Sequence, residues 1–195
     1  MSKDTKPGEI KSTRYFPTAR LVLGEQQGLC KGYSAPRSKT PATPAVRFLR
    51  EQSVAFTEHP YRYVEHGGTR TFADETGTDE HAVVKTLVME DDGKRPLVVL
   101  MHGDRDVSTK ELARFLGVKA VHPCSPETAE RHSGYMVGGT SPFGLRKPLP
   151  IYMEGTILEL PKVYINGGKR GFLVGLDPRE IVRTLGPTVV NVAIP

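Results

Sequence analysis

Two short stretches place paired glycines beside residues that a reacting or binding group would need. One is GYMVGGTSPFG, Gly134–Gly144; the other is INGGKRG, Ile165–Gly171. Glycine lets backbone approach a ligand closely and adopt positive φ. Several exposed N–H groups in one such loop form a concavity for a phosphate or a developing oxyanion. On glycine content alone both loops also read as tight turns between strands. A third candidate is Lys85, set in the apolar run AVVKTLVM. An unpaired ammonium inside such a run is costly, so it either reaches the surface or holds a phosphate or a polarised carbonyl at a pocket mouth. Lys169 and Arg170, flanked by glycine, read as solvent-facing or as phosphate contacts.

Other chemistries find less support. GTSPFGLR lacks the lysine-hydroxyl ending of a Walker A loop, and no GxGxxG follows a strand. Six histidines are present, yet His122, Cys124 and His132 form no compact ligand set, so no metal is expected. Ser141 sits in no GxSxG elbow. Cys124, between prolines, reads as structural.

The elements that must position these residues follow from local signals. Thr43 as N-cap with Pro44 at the first helical position starts an amphipathic helix. Val54–Val64 reads as a strand bent at Pro60, followed by a polar loop. Thr78–Val83 reads as a helical turn capped by Thr78, running into a strand to about Met89. DDGKR then makes a hairpin to PLVVLMH. Ser108 and Glu111 form a capping box for a helix stopped by Gly117, and Ser125-Pro126 opens another to about His132. LPIYME, PKVYING and GFLVGL are strand-like. Asp177 caps a last helix closed by Gly186, and VVNVAI is a final strand. The expected architecture is one mixed α/β domain, 43–195, with a mixed or partly closed sheet and helices packed outside. Residues 1–42 read as an extension or linker, with an apolar patch at Phe16–Leu23 and basic residues (Lys11, Arg14, Arg20, Lys31, Arg37, Lys39) suited to nucleic acid.

Composition sets the outer limits. The chain has 195 residues, 37% hydrophobic and 25% charged, the profile of an ordinary soluble globule. No apolar run is long enough to cross a bilayer, and the N-terminus lacks the apolar core of a signal peptide. Two distant cysteines, Cys30 and Cys124, fit a cytoplasmic protein with free thiols. A formal charge of +5 and a pI near 9.2 permit a polyanionic partner such as RNA.

The TPAV helix start at Thr43–Val46, Tyr61 on its strand, VVKTL at Val83–Leu87, GYMVGGTSPFG and INGGKRG occur in that order. Together they resemble the YbaK/EbsC family, related to the editing domain inserted in bacterial prolyl-tRNA synthetases. The resemblance spans about Thr43 to Ile194. It implies a barrel-like mixed sheet with helices outside and hydrolysis of the ester joining a wrong amino acid to tRNA, without cofactor or metal. Lys85 matches the family's functional lysine, and Gly138 the loop glycine whose N–H faces the substrate carbonyl, with Gly139 beside it. Tyr61, Phe72 and Met136 would line a small pocket. Thr140, Ser141, Pro142, Gly168, Lys169 and Arg170 would complete substrate binding. The implied partners are the acceptor end of a mischarged tRNA, of Cys-tRNA(Pro) or Ala-tRNA(Pro) type, and prolyl-tRNA synthetase. No general base is evident, so the substrate's own groups or a positioned water would assist. One departure matters: cysteinyl-tRNA deacylases of the family carry an aspartate where this chain has Leu173. The rival expectation is a non-catalytic tRNA- or nucleotide-binding module of the same fold.

Overall fold

The computed structural model describes residues 40–195; the N-terminal patch, its basic residues and Cys30 lie outside them. In chain order the elements are α1 (Pro44–Glu51), β1 (Thr57–Pro60), α2 (Gly68–Thr76), β2 (Val83–Asp91), β3 (Pro96–His102), β4 (Asp106–Val107) and α3 (Thr109–Leu116). There follow β5 (Val121–Pro123), α4 (Pro126–Ser133), β6 (Ile151–Glu154), β7 (Val163–Lys169), β8 (Phe172–Leu176), α5 (Pro178–Leu185), β9 (Thr188–Val190) and β10 (Ala193–Ile194). Side-chain caps start four of the five helices, as their sequences predict. Thr43 accepts from the Val46 N–H, Ser108 from Glu111, Ser125 from Thr128 and Asp177 from Arg179.

The sheet runs β1-β8-β7-β2-β3-β6-β9, with β5 added to the edge of β2, and β10 pairs with β4 separately. Antiparallel hairpins (β2–β3, β7–β8) alternate with parallel pairings (β2–β7, β3–β6, β6–β9). Among the described residues no pairing joins β1 to β9, so the sheet is mixed and open at both ends.

Strand β3 shows how both faces are buried. Val98 and Leu100 join the cluster that α1 and α5 cover through Leu49 and Ile181. Leu97, Val99 and Met101 point the other way, onto Leu112 and Ala113 of α3. This is the period of two expected of a strand, with apolar residues at every position because both faces are covered. Burying each such side chain contributes about 1.5–3 kcal/mol.

The structure revises several local expectations. The strand at Val54–Val64 shrinks to Thr57–Pro60, since proline donates no ladder hydrogen bond. The cap of the turn before β2 is Asp79, not Thr78, and the turn spans Glu80–Ala82. Helix α2 was not expected. It begins at Gly67-Gly68 without a side-chain cap, so neither propensity nor capping marks its start. The final apolar run divides into β9 and β10.

Candidate active site

Strand β2 has a gap along one edge. Its first residues pair with β7, Val84 lying opposite Ile165, and its last three with β5 from Met89 onward. The Val88 carbonyl accepts from the Cys124 N–H at 3.0 Å, which fixes which residues face that edge. Strand alternation then puts the Thr86 N–H and C=O on the same edge, where neither neighbouring strand pairs. The Thr86 hydroxyl is also buried without a hydrogen-bond partner among the described residues. A cavity of about 510 Å³ occupies the gap and reaches from Tyr61 and Phe72 to Gly138 and Arg170. That volume lies within the range of small-molecule sites.

On one side the cavity is walled by β2. The Lys85 side chain shares its face with Val83 and Leu87, lines the cavity and reaches Asp106 Oδ1 at 3.3 Å. Lys85 is 23% exposed and Asp106 79% exposed, so the carboxylate is a weak, solvent-screened partner. The floor is apolar. Phe72, Val83 and Leu173 are buried together, with Tyr61 set edge-on to Phe72 at 5.4 Å between centroids. Burial raises the Tyr61 phenol above its ordinary value, and likewise the Cys124 thiol, which stays protonated at neutral pH.

The opposite wall is the glycine loop, and it is held from several directions. The Gly139 N–H donates to the Met136 carbonyl at 2.9 Å, and Gly138, at φ +85°, takes the third position of that turn. This is the type II arrangement, which glycine there permits. Asn166 Nδ2 donates to the Gly138 carbonyl at 3.1 Å, while its Oδ1 accepts from the N–H groups of Gly168 and Lys169. Arg170 Nε donates to the Val137 carbonyl at 2.8 Å, and its guanidinium lies over the Tyr63 ring at 5.2 Å. Such a cation–ring contact contributes about 0.5–1 kcal/mol at an exposed site. Among the described residues no group accepts from the Gly138 N–H.

The β7–β8 turn is anchored in the same way. The ladder is irregular between Asn166 and Lys169, and Thr43 Oγ1 donates to the Gly167 carbonyl at 2.6 Å. A Cβ on Gly168 (φ +88°) would come within 2.8 Å of the Tyr135 ring, so only glycine fits. Tyr135 is buried and donates to the Phe143 carbonyl at 2.5 Å; burial raises its phenol well above the ordinary value. Thus the helix start, the bulge and the glycine loop form one connected support.

Of the residues singled out in the sequence, Lys85, Gly138, Tyr61, Phe72, Thr140 and Arg170 line the one cavity, as does Leu173. Gly139, Met136, Ser141, Pro142, Gly168 and Lys169 do not. The Gly139 N–H is already spent on Met136, so of the two glycine donors only that of Gly138 remains. Met136 is 60% exposed, Ser141 is fully buried, and Gly168 faces Tyr135. Sequence reasoning passed over Thr86, Asn166 and Tyr63. Asn166 carried a signal: an amide immediately before Gly-Gly, able to donate and accept within a turn. Glu65 and His66 also line the cavity, both exposed. Among the described residues no group of three or more metal-ligating side chains occurs, and no helix is long and apolar enough to cross a membrane.

A family model described as the aminoacyl-tRNA editing domain matches residues 67–184, more than half of the chain. EbsC of Enterococcus faecalis, a candidate Cys-tRNA(Pro)/Cys-tRNA(Cys) deacylase, is 28% identical over 149 residues, covering 76% of this chain and 91% of that protein. Proline–tRNA ligase of Geobacter metallireducens is 34% identical over 92 residues, 47% of this chain but 15% of the ligase. The fold matches the crystal structure of a candidate trans-editing enzyme for prolyl tRNA synthetase, with a TM-score of 0.69 at 23% identity. That match covers 81% of this chain and all of the other.

Proposed function

This chain belongs to the aminoacyl-tRNA editing domain family, and we propose that it hydrolyses the ester of a mischarged tRNA in trans, in the cytoplasm where translation occurs. The observation that carries this reading is the meeting of Lys85, the unpaired edge of β2 and the free Gly138 N–H around one cavity. Attack on an aminoacyl ester turns the carbonyl oxygen into an oxyanion. The Gly138 N–H is a fixed donor for that charge, and it needs no reorganisation as the charge develops. Lys85 supplies a positive charge on the facing wall, for the phosphate of the terminal adenosine or for the carbonyl. The Asp106 carboxylate that now pairs with it is exposed enough to be displaced.

Among the described residues no carboxylate or imidazole lies buried in the cavity to act as general base; Glu65 and His66 sit at its exposed rim. The substrate's own groups therefore orient the attacking water, and its proton passes to the substrate's amino group and on to the departing ribose oxygen. The floor of Phe72, Val83 and Leu173 favours a small uncharged side chain such as cysteine or alanine. A synthetase pocket separates neighbours differing by one methylene by only about 1–3 kcal/mol, which is why a second hydrolytic site is needed. The mischarged partner in such a cycle is tRNA(Pro), handed over by prolyl-tRNA synthetase.

The absence of a buried base and the apolar Leu173 favour one other reading, a module that binds charged tRNA and leaves the ester intact. Deacylation of Ala-tRNA(Pro) and Cys-tRNA(Pro) by wild type and Lys85→Ala separates the two. Hydrolysis above the buffer rate, reduced about 10²–10³-fold in the variant, is expected if Lys85 stabilises developing charge. Binding without turnover of any ester in the panel would replace the enzyme by the binding module.

A further inference from the structure

We infer that Arg170 is a positioning residue that aims the Gly138 N–H, rather than a phosphate contact; this rests on the proposed role of Gly138. The argument turns on one peptide group. The carbonyl of Val137 and the N–H of Gly138 belong to the same trans peptide, so they point in opposite directions. Arg170 Nε holds that carbonyl at 2.8 Å. Gripping the oxygen therefore fixes the direction of the nitrogen's proton.

The fixation matters because this peptide is the one free to flip. Val137 and Gly138 are the central residues of the Met136–Gly139 turn. Type I and type II turns differ chiefly by rotating the central peptide, and glycine at the third position accepts either. With the carbonyl released, the turn could close with the Gly138 N–H reversed and its Met136–Gly139 hydrogen bond kept. The next peptide is secured separately, since Asn166 Nδ2 holds the Gly138 carbonyl. The Tyr63 ring also packs against the guanidinium, its centroid 5.2 Å from Arg170 Cζ. Gly138 and Tyr63 also pack closely: a Cβ on Gly138 would lie 3.0 Å from the Tyr63 hydroxyl. An ionised donor on the carbonyl further polarises the peptide and makes its N–H a stronger donor.

The test compares Arg170→Ala with Arg170→Gln in the full chain. The Gln amide nitrogen stands the same number of bonds from Cα as Arg Nε, so it can donate to the Val137 carbonyl without a charge. For the mischarged tRNA that wild type hydrolyses, beginning with Ala-tRNA(Pro), Arg170→Ala should lower kcat about 10²-fold with little change in KM. Arg170→Gln should recover all but about threefold of that kcat. The salt dependence of tRNA binding should keep its slope in both, whereas loss of a phosphate contact lowers the slope by about 0.7–0.9. Equal damage in the two variants, carried by KM and a reduced slope, overturns the positioning role.

A second readout does not depend on turnover. In an amide NMR spectrum the Gly138 resonance should move in Arg170→Ala and return toward its wild-type position in Arg170→Gln. An unmoved Gly138 amide in a folded Arg170→Ala protein also overturns the inference. Should wild type hydrolyse no ester while the amide behaves as expected, the deacylase reading fails and the clamp stands.

Discussion

The two walls of the cavity are built on opposite principles. In the glycine-loop wall each carbonyl that shapes the turn has a donor. Gly139 N–H closes it, Asn166 and Arg170 hold its carbonyls, and Thr43 holds the bulge behind it. The β2 wall is the reverse. Among the described residues the edge of Thr86 has no strand beside it, its hydroxyl has no partner, and Lys85 has only an exposed carboxylate. Buried polar groups left unpaired are costly, so a native fold retains them where something else completes them. One wall is finished by the protein, and the other is left to be finished by what enters. A preorganised donor facing an incomplete strand edge suits a site that must bind a polar chain end and then stabilise a transient charge.

The largest effect expected from this contrast comes from disturbing the finished wall. A Cβ on Gly139 would lie 2.9 Å from the Arg170 nitrogen and 3.2 Å from the Lys169 carbonyl carbon, both backbone atoms that cannot swing aside. Gly139→Ala should therefore part the loop from the β7–β8 turn and cost about 2 kcal/mol, within the usual range for overpacking. In a chain of this size that lowers Tm by about 4–8 °C. Hydrolysis should fall about 100-fold, since the Gly138 donor moves with the loop. Unchanged Tm and turnover would show that the wall is not rigid, and the comparison would collapse.

A smaller effect, opposite in sign, is expected on the other wall. Thr86→Val keeps the shape of the side chain and removes the unpartnered hydroxyl. Removing a buried polar group that lacks a partner should raise stability by about 1 kcal/mol, or about 2–4 °C in Tm. If substrate completes this edge, KM rises in the same variant. A fall in Tm would mean that the hydroxyl is already satisfied, and the β2 wall would be as complete as its counterpart.

The contrast also marks what the sequence can convey. Caps and turns are local, so Thr43, Ser108, Ser125 and Asp177 announce their helices without any tertiary information. Lys85 stands out because its charge interrupts an apolar strand, whereas Gly138 is singled out only by its match to the family's loop glycine. Alternation along AVVKTLVM tells which side chains share a face. It does not tell that pairing of β2 with β7 ends at Val84 and pairing with β5 begins at Met89, and so cannot reveal the unpaired edge at Thr86. Nor do local signals separate Gly138 from Gly139; only the family resemblance singles out Gly138. That distinction depends on one hydrogen bond to Met136 and on Arg170 and Asn166 arriving from another hairpin.

The smallest effect concerns the partner that Lys85 has among the described residues. Lys85 and Asp106 lie 3.3 Å apart, yet Asp106 is 79% exposed. An ion pair so open to water contributes at most about 0.5 kcal/mol, because solvent and salt screen it. Asp106→Asn should thus leave Tm within about 1–2 °C of wild type. Its consequence should appear in binding: with the carboxylate gone, Lys85 meets a phosphate or carbonyl without first giving up a partner. KM for mischarged tRNA should fall about twofold at low salt, and the difference should fade as the Debye length shrinks toward 3 Å near 1 M. A KM that rises instead would show Asp106 holding Lys85 in its working position, and the β2 wall would then share the preorganisation of the loop it faces.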